Sequence, residues 1–203
     1  MTETLPLARP DITDRERERV MEVLRTPDLS LGPRLPEFEE KFAARVGARH
    51  AVAVNSGTSG LHLCVRALGL AEGDEVVTTP FSFVASANCL LFERVRPVFV
   101  DIDERTYDIG AQAFEDRILA LRRTRRGKRL RGILPVHVFG RPCDMPGIMA
   151  VARRHRLAVI EDACEAVGAE IRVPAGGGRA GAGKQSGTFG DCGVFAFYPN
   201  KQM

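Results

Sequence analysis

Three stretches of this 203-residue chain carry side chains suited to chemistry: Asn55-Ser56-Gly57-Thr58-Ser59-Gly60, Glu161-Asp162-Ala163-Cys164-Glu165 and Tyr198-Pro199-Asn200-Lys201. In the first, a glycine turn feeding a helix presents unpaired backbone N–H groups and the positive end of a helix dipole, with the hydroxyls of Ser56, Thr58 and Ser59 around them. Such a turn can cradle a phosphate, and the same serines and threonine serve equally well as helix caps. Ser59 does not fit the hydrolase elbow pattern, because Leu61 stands where its second glycine belongs. Asp162 closes an apolar run. Burying an unpaired carboxylate there is expensive, so a cation or several donors must meet it, unless it caps a following helix. Glu165, three residues on, shares its face if the segment is helical. Carboxylates one turn apart lie on the same side of a substrate, which argues against a glycosidase with acid and base on opposite faces. Lys201, taken as an isolated lysine with a pKa of about 10.4, is an ammonium and a poor base.

The elements that must position these residues alternate. Residues 14 to 25 and 36 to 46 read as helices, the second with Phe38, Phe42 and Val46 at four-residue spacing. Residues 51 to 54 form a short apolar run of buried-strand type, followed by a helical stripe of Leu61, Cys64, Val65 and Leu68 that ends at Gly69. Strands are expected at 75 to 78, 97 to 100, 132 to 138, 157 to 160 and from 193, with helices at 83 to 92, 111 to 121 and 145 to 155 between them. Repeated βα units with near-continuous apolar strands predict an α/β fold: a parallel-rich sheet flanked by helices on both faces. Ligands of such sheets bind beyond the carboxyl ends of the strands, where Ser56 to Ser59, Asp101, His137, Asp162 and Lys201 fall. His137 is open to two readings, a core histidine or a neighbour of the site, and His62 reads as structural.

Composition excludes several classes. The chain is 44% hydrophobic and 27% charged with a net charge of +3, within the ordinary globular range and without a forced nucleic-acid footprint. The seven basic residues between Arg122 and Arg131 have no interleaved aromatic ring for base stacking and read as a solvated connecting loop. No apolar run approaches the roughly 18 residues of a membrane helix, and the N-terminus lacks a basic leader, so a cytoplasmic protein is expected. Five scattered cysteines without a Cys-x-x-Cys pair argue against a disulfide framework and a zinc site, and no metal site is expected. Gly178 to Gln185 nearly matches a phosphate-binding P-loop, but Gln185 replaces the hydroxyl residue and no helix pattern follows, so 174 to 186 is expected to be a loop.

Taken in order, Leu7-Ala-Arg-Pro-Asp, Asn55-Ser56-Gly57-Thr58-Ser59-Gly60, Pro97-Val-Phe-Val-Asp-Ile-Asp, Glu161-Asp162-Ala163-Cys164-Glu165-Ala166 and Gly187-Thr-Phe-Gly-Asp followed by Phe-x-Phe-Tyr-Pro-Asn-Lys201 resemble the DegT/DnrJ sugar-aminotransferase family. The resemblance implies a fold-type-I enzyme dependent on pyridoxal 5'-phosphate (PLP), with residues 1–203 forming the N-terminal part of its large domain. It implies Lys201 as the Schiff-base lysine and proton shuttle, and Asp162 as partner of the pyridinium nitrogen. It also places Gly57, Thr58 and Ser59 at the cofactor phosphate, Phe83 stacked on the ring and Glu165 near the phenolic oxygen, where many members carry glutamine. Ala196 stands where some members have a phosphate-binding serine. Further implications are a homodimer, an amino-acid donor, commonly glutamate, and a nucleotide-linked keto sugar as acceptor. Members continue past the lysine into a further strand and a small C-terminal domain, so the chain reads as cut short; the competing reading is a non-catalytic or regulatory chain with an incomplete site.

Overall fold

The computed structural model describes residues 9–172 and 181–201. Helices α1 (Asp14–Leu24), α2 (Arg34–Val46) and α3 (Gly57–Ala67) come first, and strands then alternate with helices. These are β1 (Glu75–Thr78), α4 (Ala85–Leu91), β2 (Arg96–Phe99), α5 (Ala111–Arg122), β3 (Leu130–Ile133), α6 (Met145–His155) and β4 (Ala158–Asp162), then β5 (Glu170–Arg172), β6 (Gly183–Gln185) and β7 (Cys192–Val194). Five strands form one sheet in the order β2-β1-β3-β4-β7, every pairing parallel, with Glu75 opposite Arg96 and Ile160 opposite Cys192.

Side chains of a strand alternate between faces, and both faces here are covered. Val77, Ile133 and Val159 pack against Phe114, Ile118, Met145 and Ile148 of α5 and α6. Their neighbours Val76, Leu134 and Ile160 pack against Leu61, Val65, Cys89 and Leu90 of α3 and α4. Each fully buried aliphatic or aromatic side chain contributes about 1.5–3 kcal/mol. The same parity runs on to the end of β4. Glu161 continues the α5/α6 face after Val159, and Asp162 continues the α3/α4 face after Ile160.

The sequence-based boundaries of α6 agree with the structure, but residues 51 to 54 do not form a strand. Val52 is 77% exposed, and the Ala53 N–H donates to Glu39 Oε1 at 2.8 Å. The run has strand composition, but among the described residues no strand edge pairs with it, and a strand exists only as one side of a ladder. Residues Glu170–Arg172 pair antiparallel with Gly183–Gln185, so the end of the stretch expected to be a loop is a strand. Lys184 of the near P-loop therefore lies on a strand, and the Gln185 amide donates to the Ala166 and Ala169 carbonyls. Residues 174–180 of the expected loop lie outside the described residues. Among the described residues no helix is long and apolar enough to cross a membrane.

The basic stretch is more than a solvated loop. Residues Arg125–Lys128 form a 3₁₀ turn that carries Arg126 against the start of β1, where its Nε donates to Glu75 Oε1 at 2.8 Å. Glu75 is buried, Arg96 stands 3.9 Å from the same oxygen, and Oε2 has no partner among the described residues. Removing the nearer cation leaves a buried carboxylate undercompensated. Arg126→Met is expected to lower unfolding stability by about 1–3 kcal/mol, less than for a fully buried pair because Arg126 is partly exposed. A urea titration would show this as a lower midpoint with unchanged slope.

Candidate active site

Asp162 is the last residue of β4 and only 6% exposed. Its Oδ2 accepts from Ser86 Oγ of α4 at 2.6 Å, and its Oδ1 accepts from the Cys164 backbone N–H at 3.2 Å. Both donors are neutral, and among the described residues no cationic side chain pairs with this carboxylate. The helix-cap alternative does not apply, since a turn rather than a helix follows β4. The charge also reaches the neighbouring thiols. Burial and then Asp162 push Cys89 up to about 12, and the same causes in the same order raise Cys164.

The glycine turn opens α3 beside this carboxylate. Ser56 is the helix cap, in extended conformation, and its Oγ accepts the Ser59 N–H at 3.1 Å. The N–H groups of Gly57 and Thr58 belong to the first turn, where no intrahelical acceptor exists. A Cβ on Gly57 would stand 2.9 Å from Cys164 Sγ and 3.2 Å from Ala196 Cβ. Only glycine brings the helix end this close both to the turn after Asp162 and to the segment running on to Lys201.

That segment is tied down by rings. Phe42 of α2 meets Phe195 at 5.2 Å and Phe197 at 5.4 Å, both edge-on, and Phe38 meets Phe197 at 5.6 Å. Each such pair contributes about 0.5–1.5 kcal/mol beyond its burial. The chain then turns, with the Lys201 N–H donating to the Tyr198 carbonyl, and Lys201 Nζ donates to Glu165 Oε1 at 2.6 Å. Glu165 Oε2 accepts the Phe139 N–H at 2.8 Å. Phe139 presents that N–H from a left-handed conformation with φ 54°, unusual for a bulky residue. Burial pushes Glu165 up, but the Lys201 hydrogen bond, the Phe139 N–H and the Lys201 charge outweigh it and hold the carboxyl below its usual range.

The structure thus gathers Gly57, Asp162, Glu165 and Lys201 beyond the carboxyl ends of the strands. Thr58 and Ser59 follow Gly57 on the same helical turn. Phe83 lies in the turn before α4, 73% exposed, and its carbonyl accepts the Ser86 N–H at 3.2 Å; no ring contact involves it among the described residues. His137 is a core histidine. It is fully buried, its Nδ1 accepts the Cys143 N–H at 3.1 Å, and its Nε2 therefore carries the proton that faces Glu161 Oε2 at 3.1 Å. Two polar residues escaped the sequence reading. Ser86 lies four residues after Ser82, the spacing of one helical turn, and Glu161 precedes Asp162 on a strand, which must send the two carboxylates to opposite faces. Among the described residues no cluster of histidine, cysteine or carboxylate side chains suits a metal ion.

A parallel α/β sheet thus brings a helix N-terminus, a buried carboxylate and a lysine together beyond the carboxyl ends of its strands, where ligands of such sheets bind. The chain belongs to the DegT/DnrJ/EryC1/StrS aminotransferase family, whose model matches residues 10–203. It is 41% identical over 198 residues to GDP-perosamine synthase of Caulobacter vibrioides, covering 97% of this chain and 48% of that one. An aminotransferase from Psychrobacter cryohalolentis superposes with a TM-score of 0.83 at 33% identity over 96% of this chain and 45% of the other. The PLP-form of Spr1654 from Streptococcus pneumoniae gives 0.84 at 25% identity over 98% and 50%. The chain thus spans about half the length of the relatives it matches. Pyridoxal 5'-phosphate is the cofactor of this family.

The depressed pKa of Glu165 has a pH consequence. A carboxyl depressed in the folded state stabilises it fully above its unfolded pKa, near 4.5, and that contribution is lost as pH falls below this value. Glu165→Gln is expected to flatten the acid limb of the stability profile below pH 4.5 by roughly 1 kcal/mol, the pair being partly exposed. Denaturant midpoints of the variant and the parent protein from pH 6 to pH 3, about two buffer steps per unit, would check it.

Proposed function

We propose that this chain is the N-terminal part of the large domain of a PLP-dependent aminotransferase that transfers an amino group, from glutamate as donor, to a keto group of a nucleotide-linked sugar. The observation that carries the reading is Asp162: a buried carboxylate with only neutral donors, set between a helix N-terminus and a lysine. A cationic ring nitrogen supplies the charge it lacks. The Caulobacter relative is a GDP-perosamine synthase, which supports the sugar-nucleotide acceptor.

When bound, PLP supplies an electron sink for the carbon that loses its proton. The Gly57 and Thr58 N–H groups, with the Thr58 and Ser59 hydroxyls, bind its phosphate at the positive end of α3. Asp162 holds the ring nitrogen protonated, and Phe83 covers the ring face. Lys201 would hold the cofactor through its amine, and the same amine would move a proton at the substrate carbon. Glu165 orients Lys201, and its second oxygen is already fixed by the Phe139 N–H. The protein acts as a homodimer, in keeping with the family resemblance.

Two tests separate the roles. Borohydride reduction of the protein as its gene encodes it, incubated with PLP, is expected to fix one cofactor mass on the peptide containing Lys201; label on another lysine, or none, sinks the assignment. Asp162→Asn is expected to lower kcat about a hundredfold while leaving the fold intact, because the charge-assisted partner of the ring nitrogen is lost. Near-parent turnover with a keto-sugar nucleotide and glutamate would remove Asp162 from the mechanism.

A further inference from the structure

Asp162 is gripped from α4 by a chain of hydroxyls. Ser86 is 1% exposed, its Oγ is 2.6 Å from Asp162 Oδ2, and Ser82 Oγ is 2.6 Å from Ser86 Oγ. A hydroxyl has one proton, and an ionised carboxylate only accepts. The Ser86 proton is therefore committed to Asp162, and the Ser86 oxygen accepts from Ser82. The relay is polarised one way, from Ser82 through Ser86 to Asp162. With the Cys164 N–H on the other oxygen, the carboxylate is fixed by donors from two separate segments. Ser86 also donates its backbone N–H to the Phe83 carbonyl, so one residue pins both the buried anion and the turn that carries Phe83.

We infer that Ser86 is a positioning residue for Asp162, with Ser82 polarising it: the relay fixes the plane of the carboxylate and favours its ionised form, so that Asp162 meets a ring nitrogen as an anion. The inference rests on the aminotransferase reading of the site. Donation to the charged form of a carboxylate favours that form, and removing the donor moves the shared proton from the ring nitrogen toward Asp162. The other titratable groups around Asp162 are Cys89 on α4, Cys164 and Glu165 on the turn after β4, and Lys201 beyond β7; Glu161 and His137 lie on the opposite face. Of these, Cys89 donates its thiol to the Ser86 backbone carbonyl at 3.3 Å, a contact that a side-chain change at Ser86 does not remove.

The test uses the protein as its gene encodes it, loaded with PLP labelled with ¹⁵N in the ring, and compares the parent protein with Ser86→Ala, Ser86→Thr and Ser82→Ala. The nitrogen resonance is expected at the protonated position in the parent protein and in Ser86→Thr, and shifted toward the unprotonated position in Ser86→Ala. There kcat is expected to fall about tenfold with the KM for the sugar nucleotide unchanged. Ser82→Ala, altering a partly exposed residue, is expected to shift the resonance the same way by a smaller amount. A Ser86→Ala protein that melts earlier yet keeps the parent resonance and kcat overturns the inference, since that is what a purely structural serine would do. A stable Ser86→Thr protein that behaves like Ser86→Ala overturns it too. If Ser86→Ala does not fold, Ser82→Ala decides, and an unshifted resonance there overturns it. Borohydride labelling of the parent protein is the control: failure at Lys201 sinks the aminotransferase reading and this inference together, whereas a labelled parent with a silent Ser86→Ala sinks the role of Ser86 alone.

Discussion

The carboxylate of Glu161 has no contact with solvent and four hydrogen-bond donors. Oε1 accepts the Phe189 and Gly190 N–H groups, both at 2.6 Å, and Oε2 accepts the Gly187 N–H at 2.8 Å and His137 Nε2 at 3.1 Å. An uncompensated charge at this depth would cost several kcal/mol, so the backbone of 187–190 can leave this carboxylate only at that cost. The same loop feeds β7, and β7 leads to Phe195, Phe197 and Lys201. Where the lysine emerges therefore depends on a carboxylate on the far face of the sheet. Gly187 is part of the constraint, because its φ is 87° and a Cβ there would meet the Phe195 ring at 2.5 Å.

Glu161 and Asp162 are adjacent, chemically alike and equally costly to bury, yet the pleat gives them opposite partners. Glu161 meets mostly backbone amides and is saturated, which makes it a fastener. Asp162 meets the Ser86 hydroxyl and the Cys164 backbone amide, and among the described residues no cationic side chain pairs with it. The distinction between a structural and a reactive carboxylate lies here in the number and charge of donors.

The fold was legible where the signal was local. The apolar periodicity of α6 and the β-branched runs of β1 and β4 report their own conformation, and Asp162 falls at the end of β4 as its apolar run predicts. What depends on a distant partner was not legible. Residues 51 to 54 have strand composition, but pairing requires an edge elsewhere in the chain. Arg126 belongs to a basic run that looks solvated until β1 places Glu75 beside it. Glu161 was hidden by its neighbour, since a sequence shows two acids in a row and only the folded loop carrying Gly187, Phe189 and Gly190 shows which one it saturates.

The contrast between the two ends of this network follows from what each must do. Glu161 binds backbone groups that never need to leave, so burial and four donors suit it. Lys201 is held instead by a side chain at the rim: Glu165, with 32% of its side chain exposed against 16% for the lysine. A pair that water can reach is worth about 1 kcal/mol or less, enough to bias the side chain toward the site and too little to trap it. The left-handed turn at Phe139 fixes the other oxygen of Glu165, so that the carboxylate is held by the backbone as well as by the ammonium. Rigid attachment through the sheet and loose attachment at the rim are thus two settings of one interaction, carboxylate to donor, chosen by depth.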